Sequence, residues 1–185
     1  IPPIQILSAK RAKAMSEQFH VRLRKATHVF CAGHFITLTD QICEPVHGHN
    51  WTVGVDVVGS PDAHGMVIDF IALRNLLSDI LAQLDHRMLL PTLNRFLKLV
   101  TRPASADTMS GSEVEVQFTD RRWVFPAAEC VLLPIENTTA EWLARWIGQA
   151  LAAAMTAAGC PLRGTPRIEV DECLGQSAVW EHRPD

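Results

Sequence analysis

The stretch "CEPVHGHNWTVGVDVVG", residues 43–59, decides how the chain folds. From His47 onward every second residue is a histidine or apolar: His47, His49, Trp51, Val53, Val55 and Val57. Side chains alternate across a strand, so the pattern predicts a strand with one apolar face, and the two imidazoles extend that face to its end. Gly48 between them carries no side chain to crowd the pair. Two imidazoles so placed can grip one metal ion at roughly 2.0–2.1 Å each, and a catalytic zinc site takes a third protein ligand. Surface or merely hydrogen-bonded histidines are the plainer alternative.

Upstream, "FHVRLRK" (19–25) alternates Val21 and Leu23 with Arg22 and Arg24, and "HVFCAGHFI" (28–36) follows it with Phe30, Ala32 and His34 on one face. "GSPDAHG" (59–65) reads as a turn. Together these segments predict a long antiparallel arm. The third ligand is open among His20, His28, His34, His64, His86 and His182; the shared face favours His34.

Downstream, "IDFIALRNLLSDILAQL" (68–84) places Phe70, Leu73, Leu76, Leu77, Ile80, Leu81 and Leu84 at helical spacing behind Asp69 as N-cap. "TTAEWLARWIGQALAAAMTAAG" (138–159) predicts a second helix, with Thr138 and Glu141 as a capping box and Gly159 at its end. "PRIEVDEC" (166–173) closes with a strand. Between the helices, the first half is turn-rich, and "EVEVQF" with "RRWVF" reads as a hairpin. Strands, helix, insert, helix and strand make an α+β layer design.

Several residues carry chemistry or have a bland reading. Cys43 is either a small buried hydrophobe or, beside a metal, a base. Asp85 and His86 either end the first helix or form a proton-moving pair. Glu172 falls on the apolar side of "RIEVDEC", so either the strand stops before it or its carboxylate meets a ligand, because burying it unpaired costs several kcal/mol.

Length, 185 residues, suits one domain. Residues 1–14, before Met15, read as an extension outside the fold, leaving 15–185 as the domain with an insert at about 91–133. A net charge of −3 lacks the basic surplus of nucleic-acid binders. No apolar run reaches the roughly 20 residues that span a bilayer, and no export signal is evident, so a cytoplasmic protein is expected. The five cysteines form no C-x-x-C pair and are read as reduced thiols.

Taken in order, "FCAGH" (30–34), "CEPVHGHNW" (43–51), "GMVIDF" (65–70), "LDH" (84–86), "NTTAEWLARW" (137–146) and "VDEC" (170–173) resemble the family of 6-pyruvoyl-tetrahydropterin synthase and 6-carboxy-tetrahydropterin synthase of queuosine biosynthesis. The resemblance covers about 19–90 and 134–182. It implies the tunnelling fold: a four-stranded antiparallel sheet with two helices on one face, in subunits that join into trimers or hexamers with sites between them.

It further implies that His34, His47 and His49 hold Zn2+, that Cys43 is the catalytic base, that Asp85 and His86 relay protons and that Glu172 anchors the pterin. By the same analogy Thr139 touches the pterin. The implied reaction converts 7,8-dihydroneopterin triphosphate to 6-carboxy-5,6,7,8-tetrahydropterin with loss of acetaldehyde and triphosphate. The short gap from Cys43 to His47 resembles that branch, and formation of 6-pyruvoyl-tetrahydropterin is the alternative. The insert, Trp180 and Thr138 depart from the family pattern. Two rivals stand outside it: a cupin-type oxygenase, which lacks its usual glutamate ligand here, and a non-catalytic pterin- or metal-binding module.

Overall fold

The structure is a computed structural model that describes residues 17–104 and 111–182. The segment 1–14, read as an extension, lies outside the described residues. Alternation produces the two longest strands, β1 (Phe19–His34) and β2 (His47–Gly59), which pair antiparallel with His34 opposite His47 and Ala32 opposite His49. The inward face of β2 is Trp51, Val53, Val55 and Val57, each 3% exposed or less.

One irregularity in β1 decides where His34 points. Leu23 and Phe30 both face the core although they differ in parity. The register shift between Arg24 and Val29 reconciles them: four residues on β1 oppose one on β2. A slip by an odd number of residues moves every later side chain to the other face. The bulge therefore turns Phe30, Ala32 and His34 toward the side occupied by His47, His49 and Trp51.

Helix α1 (Phe70–Leu84) starts where Asp69 Oδ1 accepts the amides of Ile71 and Ala72, and it buries Leu73, Leu77, Ile80, Leu81 and Leu84. Short strands β3 (Arg87–Pro91), β4 (Lys98–Arg102), β5 (Glu113–Phe118), β6 (Arg121–Pro126) and β7 (Cys130–Leu133) follow. Helix α2 (Ala140–Ala157) leads to β8 (Thr165–Cys173) and β9 (Gln176–Glu181). Both helices pack on one side of the main sheet, α1 on β1 and α2 on β8 and β9, and against each other.

The four-stranded expectation is corrected. The main sheet has six strands in the order β7-β3-β1-β2-β8-β9, because β3 and β7 add to β1 in parallel. Only β1, β2, β8 and β9 form the antiparallel part. The insert is likewise more than a hairpin: β4 from its turn-rich half joins β5 and β6 in a three-stranded sheet. A second apolar cluster lies under that sheet, where Val114, Val116 and Phe118 meet Phe35, Cys43, Met88 and Leu90. The α2 cap also shifts by one residue. Thr139 Oγ1 accepts the Trp142 amide, while the buried Thr138 hydroxyl donates to Phe35 O.

A candidate metal centre

Three neighbouring strands bring four side chains to one point. His34 ends β1, His47 and His49 open β2, and Glu172 lies near the end of β8, which pairs with the other edge of β2. One ligand atom from each lies within 4.8 Å of all the others. Glu172 is reached without ending the strand: a register shift between Asp171 and Cys173 disturbs the β8–β9 ladder at this residue.

The imidazoles are oriented from behind. Nδ1 of the buried His34 is 2.9 Å from Thr138 O, and Nδ1 of His47 is 2.9 Å from Pro45 O. Carbonyls only accept, so both Nδ1 atoms carry the proton and both Nε2 atoms present lone pairs. Those two Nε2 atoms are 3.1 Å apart. With no proton between them, they repel unless a cation lies between. Glu172 Oε1 stands 3.3 Å from His34 Nε2 and 3.4 Å from His49 Nε2, and His49 Nε2 is buried without a hydrogen-bond partner.

These separations fit a metal. A tetrahedron with arms of 2.0–2.1 Å has edges of about 3.3–3.4 Å, and the separations of 3.1, 3.3 and 3.4 Å among the nearest atoms are close to that. Burial, opposed by the Thr138 carbonyl, takes His34 down to about 4, so its ring is neutral and able to ligate at neutral pH. Imidazole donors suit zinc as they do iron, nickel and copper, so this group could hold a divalent metal ion.

The remaining expected residues lie outside this group of four. Cys43 is buried on the loop from β1 to β2, its Sγ 3.4 Å from Glu44 O and outside the group of four. Burial pushes its thiol up, partly offset by the Arg121 guanidinium and reinforced by Glu44. Asp85 caps the end of α1. Its Oδ1 accepts the Cys31 amide at 2.7 Å, and its Oδ2 holds His86 Nδ1 at 2.8 Å. The Cys31 hydrogen bond, more than His86, keeps the Asp85 carboxyl below the usual range.

His86 has φ +56° and a side chain that is 81% exposed, beside an open cavity of about 280 Å³ lined by Cys31, Gly33 and Phe125. Cys31 and Gly33 alternate with Ala32 and His34, so this cavity opens on the other face of β1 from the four-residue cluster. Thr139 is engaged as the α2 cap.

Glu44 is the residue that sequence reasoning passed over. Its Oε2 is buried without a hydrogen-bond partner, 4.0 Å from His47 Nε2. The available signal was a carboxylate three residues before a metal ligand.

Comparison with known proteins bears on the family and the fold. A relative from Pyrococcus horikoshii is 31% identical over 127 residues, 68% of this chain and 71% of its own. One from Pyrococcus abyssi is 29% identical over 124 residues, 66% of this chain and 69% of its own. Both carry the name "Putative 6-carboxy-5,6,7,8-tetrahydropterin synthase". Among solved structures, 6-pyruvoyl tetrahydropterin synthase from Plasmodium vivax matches with a TM-score of 0.79 at 24% identity, covering 91% of this chain and all of that one, which shows the shared fold. A variant of that protein, with a glutamate changed to alanine, is described as a catalytic residue mutant and matches with the same TM-score. The family model for 6-pyruvoyl tetrahydropterin synthase matches residues 23–181; the chain belongs to that family and is a lyase-type enzyme.

Proposed function

We propose that the protein is a zinc-dependent lyase that converts 7,8-dihydroneopterin triphosphate and water to 6-carboxy-5,6,7,8-tetrahydropterin, acetaldehyde and triphosphate. The observation that carries this reading is the convergence of His34, His47, His49 and Glu172, with the first two imidazoles locked as Nδ1–H tautomers. The name borne by the archaeal relatives favours the carboxy product over the pyruvoyl one.

A divalent cation in the cluster supplies Lewis-acid polarisation of the substrate's side-chain hydroxyls, which acidifies the adjoining C–H. Glu172 accepts the amino and ring N–H edge of the pterin, a paired arrangement that suits a partly buried carboxylate, and Thr139 lies against the same ring. His86 passes protons, held by Asp85 in the tautomer that leaves Nε2 outward.

The pair belongs to the site of a second copy in this proposal, since its own cavity lies on the other face of β1. The sheet ends at β7 and β9, with Leu132 and Val179 exposed there, and pairing of such edges closes copies into trimers or hexamers. The active unit is one domain, 15–185, with the insert at about 91–133, working in the cytoplasm.

Two groups compete as the base that removes the substrate proton. Cys43 is the base that the family resemblance implies, and its burial pushes the thiol up. Glu44 is favoured by its orphaned oxygen beside His47 and by the catalytic glutamate of the Plasmodium vivax protein.

Incubation of zinc-loaded protein with 7,8-dihydroneopterin triphosphate, followed by mass spectrometry, tests the reading. The 6-carboxy product supports it, the 6-pyruvoyl product moves it to the runner-up reaction, and an unchanged substrate with metal bound leaves a non-catalytic binder. Cys43→Ala and Glu44→Gln then show which base matters, through loss of turnover with metal retained.

A further inference from the structure

The insert sheet has a contact with the candidate site that its distance in sequence hides. Residues 35–46 form the loop that joins metal ligands His34 and His47 and carries both candidate bases. Thr37 and Cys43 pair across this loop. The Thr37 side is fastened to the body: Asn137 Nδ2 donates to Thr37 O at 2.9 Å, and Asn94 Nδ2 donates to its hydroxyl at 2.7 Å. The Cys43 side is fastened to the insert, where Arg121 Nη2 donates to Cys43 O at 2.8 Å.

Arg121 is itself held in place. Its guanidinium lies over the rings of Phe118 and Trp123, at 5.2 and 5.5 Å from their centroids. Trp123 stacks on Phe35, the residue after His34, with centroids 4.9 Å apart. Arg121 follows directly on the two-residue turn Thr119–Asp120, where the β-branched Thr119 takes φ +49°, a conformation that β-branched residues rarely adopt. The tip of the insert is thus a tight, aromatic-packed mount for one cation.

We propose that Arg121 is a positioning residue: through the Cys43 carbonyl, the insert sets where the Cys43 thiol and the Glu44 carboxylate stand relative to His47. The Glu44 amide donates to Ile36 O at 2.9 Å and joins the two sides of the loop to each other, so the Arg121 bond is what fixes the Cys43 side to the insert. Misplacement of a reacting group by 1 Å costs about 10²-fold in rate. The catalytic consequence rests on the function proposed above; the grip of Arg121 on the loop does not.

The test compares wild type with Arg121→Met, which keeps the stem, and Arg121→Lys, which keeps the charge. Alkylation of Cys43 by iodoacetamide is followed by peptide mass spectrometry, with exposed Cys31 as control in the same digest. The proposal expects metal content and Cys31 labelling unchanged in Arg121→Met, Cys43 labelling about tenfold faster, and kcat down by about 10²-fold with KM nearly constant. Arg121→Lys regains part of both.

Unchanged Cys43 labelling in Arg121→Met overturns the proposal. So does labelling of Cys31 that rises in step, because the sheet then acts only as general packing. Should wild type itself show no turnover, the lyase reading fails while the labelling comparison still decides whether Arg121 holds the loop.

Discussion

His34 and His47 face each other across the β1–β2 ladder with their Nε2 atoms 3.1 Å apart, each ring donating its Nδ1–H to a backbone carbonyl. Neither ring has a proton to offer the other. A cation between the rings relieves that repulsion, and the Glu172 carboxylate stands beside them from β8, 3.3 Å from His34 Nε2. Backbone carbonyls at 45 and 138 therefore specify a metal site as much as the imidazoles do.

Glu172→Gln keeps the size of the side chain and removes its charge. Titration of the metal-loaded variant with neopterin should show pterin binding lost, and chelator competition should show metal held about 10–100-fold more weakly than in wild type. Wild-type affinity for both would contradict the position assigned to this carboxylate.

Asp85→Asn leaves an oxygen to accept the Cys31 amide but removes the carboxylate that fixes His86. Turnover should fall by about 10²–10⁴-fold, the usual worth of a positioned acid–base group. Metal content should not change, since neither residue belongs to the cluster. A variant as fast as wild type removes the relay from the mechanism.

His28 is fully buried in the β1 bulge, with no hydrogen-bond partner for either ring nitrogen. Burial, with Lys25 and Arg74 adding to it, lowers its pKa below 6.5. Folding thus favours the neutral ring. Its stability contribution is complete above the unfolded value of about 6.5 and is lost as pH falls from there through the folded value. His28→Leu, similar in volume and apolar, should melt less differently at about pH 7.5 and 5.5 than wild type does. Identical pH slopes would show that His28 does not titrate against folding.

Much of this architecture was legible in the residues, and the gaps have physical causes. Strict alternation from His47 to Val57 announced β2, and helical spacing from Leu73 to Leu84 announced α1. "RMLLP" and "CVLL" are too short to show a period, so β3 and β7 have no local signature, and the four-stranded sheet came from the family resemblance alone. Neither could spacing alone select His34, because its direction depends on the bulge at 25–28. Glu172 stood out as a polar residue on an apolar face, but its closeness to the imidazoles depends on which strands are neighbours. The hold of Arg121 on Cys43 spans 78 positions and has no local signature.

Metal analysis of the purified protein and of His34→Ala, His47→Ala and His49→Ala, with chelator competition for affinity, decides whether the three imidazoles hold one ion. One zinc per chain in wild type, and a loss of about 10²-fold or more in affinity in each variant, is the expected result. Zinc retained at wild-type affinity by the folded variants would contradict it.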